Sequence, residues 1–323
     1  MARIIFLGSP EFAVPSLTAL VRAKHDVVAV VTQPDREAGR GRQPAPPPVK
    51  DAALALGLTV LQPAGLRRPD MVQRLTDLHP DLLVVAAFGQ ILRRPMLDMA
   101  PHGVLNVHAS LLPRWRGASP VTAAIEAGDE QTGISIMLLD EGLDTGPVLA
   151  SRTTPIRDAD TGGSLTARLA TLGAGLLIET LPAWLAGRIT PVPQDDTLAT
   201  YAPRLEKNAG AVDWTRPAVD LWRQVRALHP WPGAFTHHGQ NAIKLLEAWP
   251  LPGYASGVPG QVVPLPWEAT RYVPAELPQP AFAIVTGDGF LLPLKLQRAG
   301  KRAMFAEEFL RGERGLLGAT LGS

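Results

Sequence analysis

Leu105-Asn106-Val107-His108-Ala109-Ser110-Leu111-Leu112-Pro113-Arg114-Trp115-Arg116-Gly117 begins as a strand and leaves through a polar loop. Within Val104 to His108, an amide and an imidazole stand two positions apart among apolar residues. In an extended chain the side chains at i and i+2 share a face, so Asn106 and His108 point together. Further on, Asp140-Glu141-Gly142-Leu143-Asp144-Thr145-Gly146 follows a second apolar run, Ile134 to Leu139. Asp144 is therefore expected in a glycine-flanked loop past a strand's carboxyl end. In an open parallel sheet such ends line one crevice, which would bring Asp144 within reach of His108.

Asn106, His108 and Asp144 suit the transfer of an acyl group to a neutral amine. Attack on the carbonyl builds an oxyanion that Asn106 and a protonated His108 can stabilise. Asp144 can orient the imidazole and help carry a proton from the amine to the leaving nitrogen. No serine or cysteine nucleophile is required.

Working outward from that strand, the first half alternates apolar runs with amphipathic stretches, as βαβ units do. Arg3 to Leu7 reads as the first strand, and Ser9-Pro10 as the cap and first position of a helix carrying Phe12, Leu17, Leu20 and Val21. Val27 to Thr32 and Leu82 to Ala87 are continuous apolar runs, the mark of strands buried on both faces of a parallel sheet. Ser119-Pro120 and Gly128 bracket a short helix. A longer one runs from Ser164 toward Gly187 with leucines at helical spacing, and Pro182 is expected to kink or restart it.

From Thr190 to Gly210 the periodicity fades. Residues 1–189 are accordingly read as a catalytic domain built on a Rossmann-like, open, mostly parallel sheet, 190–209 as a linker, and 210–323 as a second domain. In the last, a helix over Ala218 to Leu228 precedes short strand-like runs at Ala242 to Glu247, Gly260 to Val263, Phe282 to Thr286 and Phe290 to Gln297. Frequent turns between short strands point to a small β-barrel.

The composition excludes several functions. At 323 residues with 46% hydrophobic content, the chain can fill one large core and a smaller one. With no cysteine it has neither a disulfide framework nor a thiolate, which fits a cytoplasmic protein. No long apolar stretch or leader-like start is evident. Gly8-Ser9-Pro10-Glu11-Phe12 lacks the later glycines of a dinucleotide fingerprint, no Walker A sequence is present, and His237-His238 is a poor metal pair. Neither NAD nor a metal is expected. A net charge of +1 leaves any nucleic-acid contact to local clusters. The candidates are Arg36, Arg40 and Arg42 in one loop, Arg114 and Arg116 flanking Trp115, and Lys295, Arg298, Lys301 and Arg302 near the end of the chain.

The wording of these segments is more specific than their spacing. NVHASLLPRWRGASP, LDEGLDTG, FLGSPEFAVPSL and VTQPDREAGRGRQ together resemble the methionyl-tRNA formyltransferases, nearly end to end. Asn-x-His, SLLP and the later aspartate belong to the whole folate-dependent formyltransferase superfamily, whereas the arginine loop and the C-terminal region narrow the acceptor to tRNA. The resemblance implies formyl transfer from 10-formyltetrahydrofolate, consumed as a cosubstrate, to the amino group of initiator methionyl-tRNA; a monomer is expected.

It implies an OB-like barrel at 210–323 that helps hold tRNA. Ser110, Leu111, Leu112 and Pro113 would border the folate, and Phe88, Gly89 and Gln90 would complete a pterin pocket with the loop from Asp140 to Asp144. Lys207 matches a lysine near the family's bound substrate. The arginine loop departs from the family pattern at Glu37, where proline is common, and at Gln43, where lysine is common. Rival readings are a formyltransferase acting on glycinamide ribonucleotide or a sugar nucleotide, a formyltetrahydrofolate hydrolase, and a non-catalytic tRNA-binding module.

Overall fold

The apolar runs assemble into a seven-stranded sheet whose order is Val148–Pro155, Gln131–Leu138, Val104–His108, Leu82–Ala86, Arg3–Gly8, Asp26–Val31 and Val60–Leu61. The computed structural model describes residues 1–38, 43–253, 256–267 and 269–322. From Val104–His108 to Val60–Leu61 every neighbouring pair is parallel. Ile4, Ile5, Phe6, Leu7 and Leu82 to Val84 are fully buried, as continuous apolar runs require when helices cover both faces. One face carries Ile5, Leu7, Ala29, Val31, Leu83, Val85 and Val104 into a single core. Asn106 and His108 continue that face by period two, so the apolar floor turns polar at the strand's carboxyl end. The opposite face is closed by the helix Gly162–Leu185, whose Gly173 lies against Val107.

Three local expectations change. Ser9 does not cap the first helix: a 3-10 turn, Glu11–Ala13, intervenes before Val14–Arg22. The Ser9 hydroxyl instead accepts from the Gln33 N–H at 3.0 Å. Pro182 does not restart its helix, which runs through it as one 24-residue element, Gly162–Leu185. Gln131–Leu138 runs antiparallel to Val104–His108, with Leu105 opposite Leu138 and His108 opposite Ser135. Its carboxyl end therefore lies at the foot of Val104–His108, and the loop after it must fold back up over the sheet face to reach His108.

Contacts divide the chain into two compact units, one of Met1–Pro120, Gln131–Pro155 and Ser164–Pro203, the other of Val121–Glu130, Ile156–Gly163 and Arg204–Ser323. The stretch up to Pro203 that reads as linker packs within the first unit. Tyr201–Ala202 pairs there with Arg116–Gly117, and Val192 bridges Val148. The pairing is made by short irregular backbone, which leaves no periodic signal.

In the second unit, antiparallel strands follow the order Ala234–His238, Asn241–Leu251, Phe290–Arg298, Phe282–Val285 and Val262–Pro264, with Ala303–Phe305 added beside Phe290–Arg298. The C-terminal tail joins the two edges of this sheet, since Gly322 bridges His237 and Thr320 bridges Gln261. A curled sheet closed by its own tail is a small barrel. The helix Ala218–Ala227 supplies Leu221, Trp222 and Val225 to its core.

Candidate active site

Asn106 and His108 are 8% and 6% exposed, side by side on the face predicted for them. The returning loop sets the Asp144 carboxylate between them: one oxygen is 3.5 Å from the Asn106 amide nitrogen and the other 3.7 Å from His108 Nδ1. The second oxygen also accepts the Gly117 backbone N–H at 2.8 Å. His108 Nε2 lies 3.0 Å from the Trp115 carbonyl, which can only accept, so Nε2 carries a hydrogen. Both ring nitrogens therefore face oxygen acceptors, Nε2 within hydrogen-bonding distance and Nδ1 just beyond it.

The residues around this trio are held by backbone geometry. Asp144 and Trp115 both occupy positive φ, at 53° and 59°, a conformation that costs an L side chain about 1–3 kcal/mol and needs outside support. Ser110 supplies some of it, its hydroxyl donating to the Arg114 carbonyl at 2.6 Å and closing the exit turn. Ser135, opposite His108, accepts the Leu112 N–H at 3.1 Å and donates to the Ser110 carbonyl at 2.8 Å. The Trp115 N–H reaches the Thr200 hydroxyl at 2.9 Å.

Arg116 is not the surface cation that the sequence offers. It is 1% exposed, with Nε donating to the Gln194 side-chain oxygen at 3.0 Å and Nη2 to Asp196 at 2.7 Å. Burial works against its charge, but Asp196 and Tyr201 outweigh that and raise its pKa. Arg114 lies over the Trp115 ring, 4.3 Å from its centre.

The folate-side expectations separate into backbone and side chain. Phe88 is 2% exposed and belongs to the sheet core, so only its main chain is available; its carbonyl accepts from the Gln33 amide at 3.2 Å. Gly89 sits at φ 79° with open space where a side chain would go, and Gln90 is half-buried. Leu111, Leu112 and Pro113 are half-buried, and the last two line a hollow of about 360 Å³ with Val148–Ser151 and Val192–Asp195. Asp140 turns inward on its own loop, accepting from the Gly142 N–H at 3.0 Å and the Thr145 hydroxyl at 2.7 Å. The start of that loop, Leu139 to Gly142, lines a cleft of about 400 Å³ together with Arg94, Leu97 and Asp98, a lining that includes none of Asn106, His108 and Asp144.

The basic candidates fall in both units. Arg36 is exposed on the short strand Arg36–Ala38 and reaches Gln33, whereas Arg40 and Arg42 lie outside the described residues. The base of their loop is pinned: Asp35 takes hydrogen bonds from Gln62 and Lys50, which hold its carboxyl below the usual range. Lys207 is exposed on the turn Lys207–Gly210 in the second unit. At the C-terminal cluster Lys295 pairs with Glu247, Arg298 with Glu313 and Arg302 with Glu308. Lys301 is exposed and has no ion pair among the described residues. Carboxylates set against three of the cations shrink the field that the sequence alone implies.

Sequence reasoning missed Ser135, Gly117, Gln194, Thr200, Asp35, Lys50 and Gln62. Ser135 had a signal, a lone hydroxyl inside an apolar strand; the others serve through irregular backbone or distant pairing and left none.

A polar cluster at the carboxyl end of a parallel strand, with amide, imidazole and carboxylate converging, defines a group-transfer fold. The chain belongs to the formyl transferase family: the model described as "Formyl transferase" matches residues 2–181, and that described as "Formyl transferase, C-terminal domain" matches 204–314. Among its relatives, the "Methionyl-tRNA formyltransferase" of Symbiobacterium thermophilum is 47% identical over 313 residues, covering 97% of this chain and 93% of that one. The protein of the same name from Halorhodospira halophila is 49% identical over 313 residues, covering 97% of each.

Solved structures share the fold at lower identity. WlaRD, a sugar 3N-formyl transferase crystallised with dTDP and 5-N-formyl-THF, has a TM-score of 0.65 at 17% identity, covering 94% of this chain and 99% of that one. HypX from Aquifex aeolicus has a TM-score of 0.62 at 20% identity over 96% of this chain; the present chain spans 48% of HypX.

Proposed function

We propose that this protein transfers the formyl group of 10-formyltetrahydrofolate to the α-amino group of initiator methionyl-tRNA, and that Asn106, His108 and Asp144 carry the reaction. The observation that bears most weight is the Asp144 carboxylate placed between Asn106 and His108 and fixed there by the Gly117 N–H. In the reaction the neutral amine attacks the formyl carbon, a new C–N bond forms, the bond from that carbon to N10 breaks, and one amine proton ends on N10. Asn106 and His108 donate hydrogen bonds to the oxyanion of the tetrahedral intermediate. Asp144 orients the imidazole and helps pass the proton. For His108 to turn toward the oxyanion, its contact with the Trp115 carbonyl has to lengthen.

The donor binds beside the Asp140–Asp144 loop, with main-chain groups of Phe88, Gly89 and Gln90 and of Ser110 to Pro113 serving its heterocycle. Residues 1–189 house this chemistry, and 210–323 hold the tRNA. Arg36, Arg40, Arg42 and Lys207 serve the acceptor end, while Lys295, Arg298, Lys301 and Arg302 serve the tRNA body. The working form is a monomer in the cytoplasm; among the described residues no helix is long and apolar enough to cross a membrane.

The test is single-turnover formylation of methionyl-tRNA by wild type, His108→Ala and Asp144→Asn, with folate affinity measured separately. Each substitution should slow turnover by about 10² to 10⁴ with folate affinity nearly unchanged. Wild-type rates in either variant remove that residue from the mechanism. Formyl release that is indifferent to methionyl-tRNA would make the protein a hydrolase instead.

A further inference from the structure

We infer that Gln194 is a positioning residue for the reaction, holding Asp144 through its backbone; the inference rests on the catalytic reading of Asp144 above. The Gln194 carboxamide donates both hydrogens into the aspartate loop, to the Asp144 carbonyl at 2.8 Å and the Gly146 carbonyl at 2.7 Å. Its oxygen accepts from Arg116 Nε at 3.0 Å, which fixes the amide's orientation, because the reversed amide would set N–H against N–H. Arg116 is buried and anchored in turn by Asp196. The next residue, Gly117, holds the Asp144 carboxylate. Arg116–Gly117 and Gln194 thus grip Asp144 from both sides, one through its side chain and the other through its main chain.

Two features make this grip necessary. Asp144 sits at φ 53°, where an L residue does not stay without support. Gly146 approaches so closely that a Cβ there would lie 1.9 Å from the Leu138 carbonyl oxygen, so the loop's path back over the sheet admits only glycine at this position. Asp140 ties the loop internally, to Gly142 near its start and to Thr145 beside Asp144, so the start of the loop has anchors independent of Gln194. Loss of the Gln194 amide should therefore loosen Asp144 while leaving the cleft beside Asp140 in shape.

Gln194→Glu separates the two functions of the side chain. A glutamate keeps an acceptor for Arg116 but sets a carboxylate oxygen against the carbonyls of Asp144 and Gly146. In full-length protein assayed with 10-formyltetrahydrofolate and methionyl-tRNA, kcat should fall by about 10- to 100-fold, the scale of a misplacement near 1 Å. KM for both substrates should stay within about 3-fold, and circular dichroism should match wild type. The decisive measurement is the double variant: in an Asp144→Asn background Gln194→Glu should cost less than about 2-fold, because a residue acting through Asp144 has nothing left to position.

Asp196→Asn, which alters the exposed end of the same chain of contacts, should lower kcat by about 2- to 5-fold and likewise lose its effect beside Asp144→Asn. It decides the matter if Gln194→Glu fails to fold. Wild-type kcat in Gln194→Glu, a KM change without a kcat change, or effects that multiply with Asp144→Asn would overturn the inference while leaving Asp144 in place. A fully active Asp144→Asn would instead overturn the catalytic reading itself.

Discussion

Gly117→Ala tests whether the placement of the Asp144 carboxylate depends on one peptide N–H. Gly117 has φ 111°, and a Cβ placed on it would lie 2.7 Å from the Ala202 carbonyl oxygen, a backbone atom that no side-chain rotation can remove. The positive φ costs about 1–3 kcal/mol for an L side chain. Relief of the clash adds about 1–3 kcal/mol. A sum near 4 kcal/mol lowers Tm by about 8–16 °C in a unit of this size. Relief also means that the strands Arg116–Gly117 and Tyr201–Ala202 part by about 0.7 Å to restore the 3.4 Å of ordinary contact. That motion carries the Gly117 N–H away from Asp144, now at 2.8 Å, and turnover should fall by about 10- to 100-fold. Gly187→Ala is the control, since Gly187 has φ 65° with open space around it and should cost only about 1–2 kcal/mol. Differential scanning calorimetry and single-turnover formylation on both variants decide the matter. If Gly117→Ala melts within about 2 °C of Gly187→Ala and reacts at the wild-type rate, the close approach does not govern the site.

Asn106→Ala should slow the chemical step by about 10² to 10³, as loss of one oxyanion donor does, and a rapid-quench rate equal to wild type would assign the oxyanion elsewhere. Glu126 has its pKa raised by burial, with Arg216 opposing, so its ionised form costs the fold stability that returns as pH falls through the raised value. Glu126→Gln should accordingly melt higher than wild type at pH 7 to 8, with the gap closing below the ordinary glutamate range; a gap independent of pH contradicts this. Lys301→Ala should flatten the salt dependence of tRNA affinity by about 0.7–0.9 log units per lost phosphate contact, and an unchanged slope would take Lys301 out of the interface.

The sheet and the trio were legible because each rests on a short-range pattern. Ile4 to Leu7 and Leu82 to Val84 are apolar at every position, and Asn106 and His108 need only the period of a strand to share a face. The proximity of Asp144 to His108 was expected for a partly mistaken reason. Its loop was placed by the rule for parallel strands, but Gln131–Leu138 is antiparallel, and strand direction is set by sheet assembly rather than by the residues of one strand. The stretch from Thr190 to Pro203 looked like linker because Gln194, Asp196 and Thr200 act through single hydrogen bonds to partners far away in the chain, and no local periodicity records such pairing. Arg116 misled for the same reason: an arginine beside tryptophan looks exposed until its distant carboxylate is known.

The antiparallel pairing of Val104–His108 with Gln131–Leu138 makes the active site a matter of counting. His108 and Asp144 meet only because Leu138 stands opposite Leu105 and the chain then has a set number of residues in which to climb back. Adding or removing one residue before Leu138 would swap the inward and outward faces of that strand, while the same change after it would carry the carboxylate past the imidazole. Away from Asp144 and the closely packed Gly133, Gly142 and Gly146, substitutions can be absorbed in this segment more readily than insertions or deletions, so its length is constrained alongside those four residues.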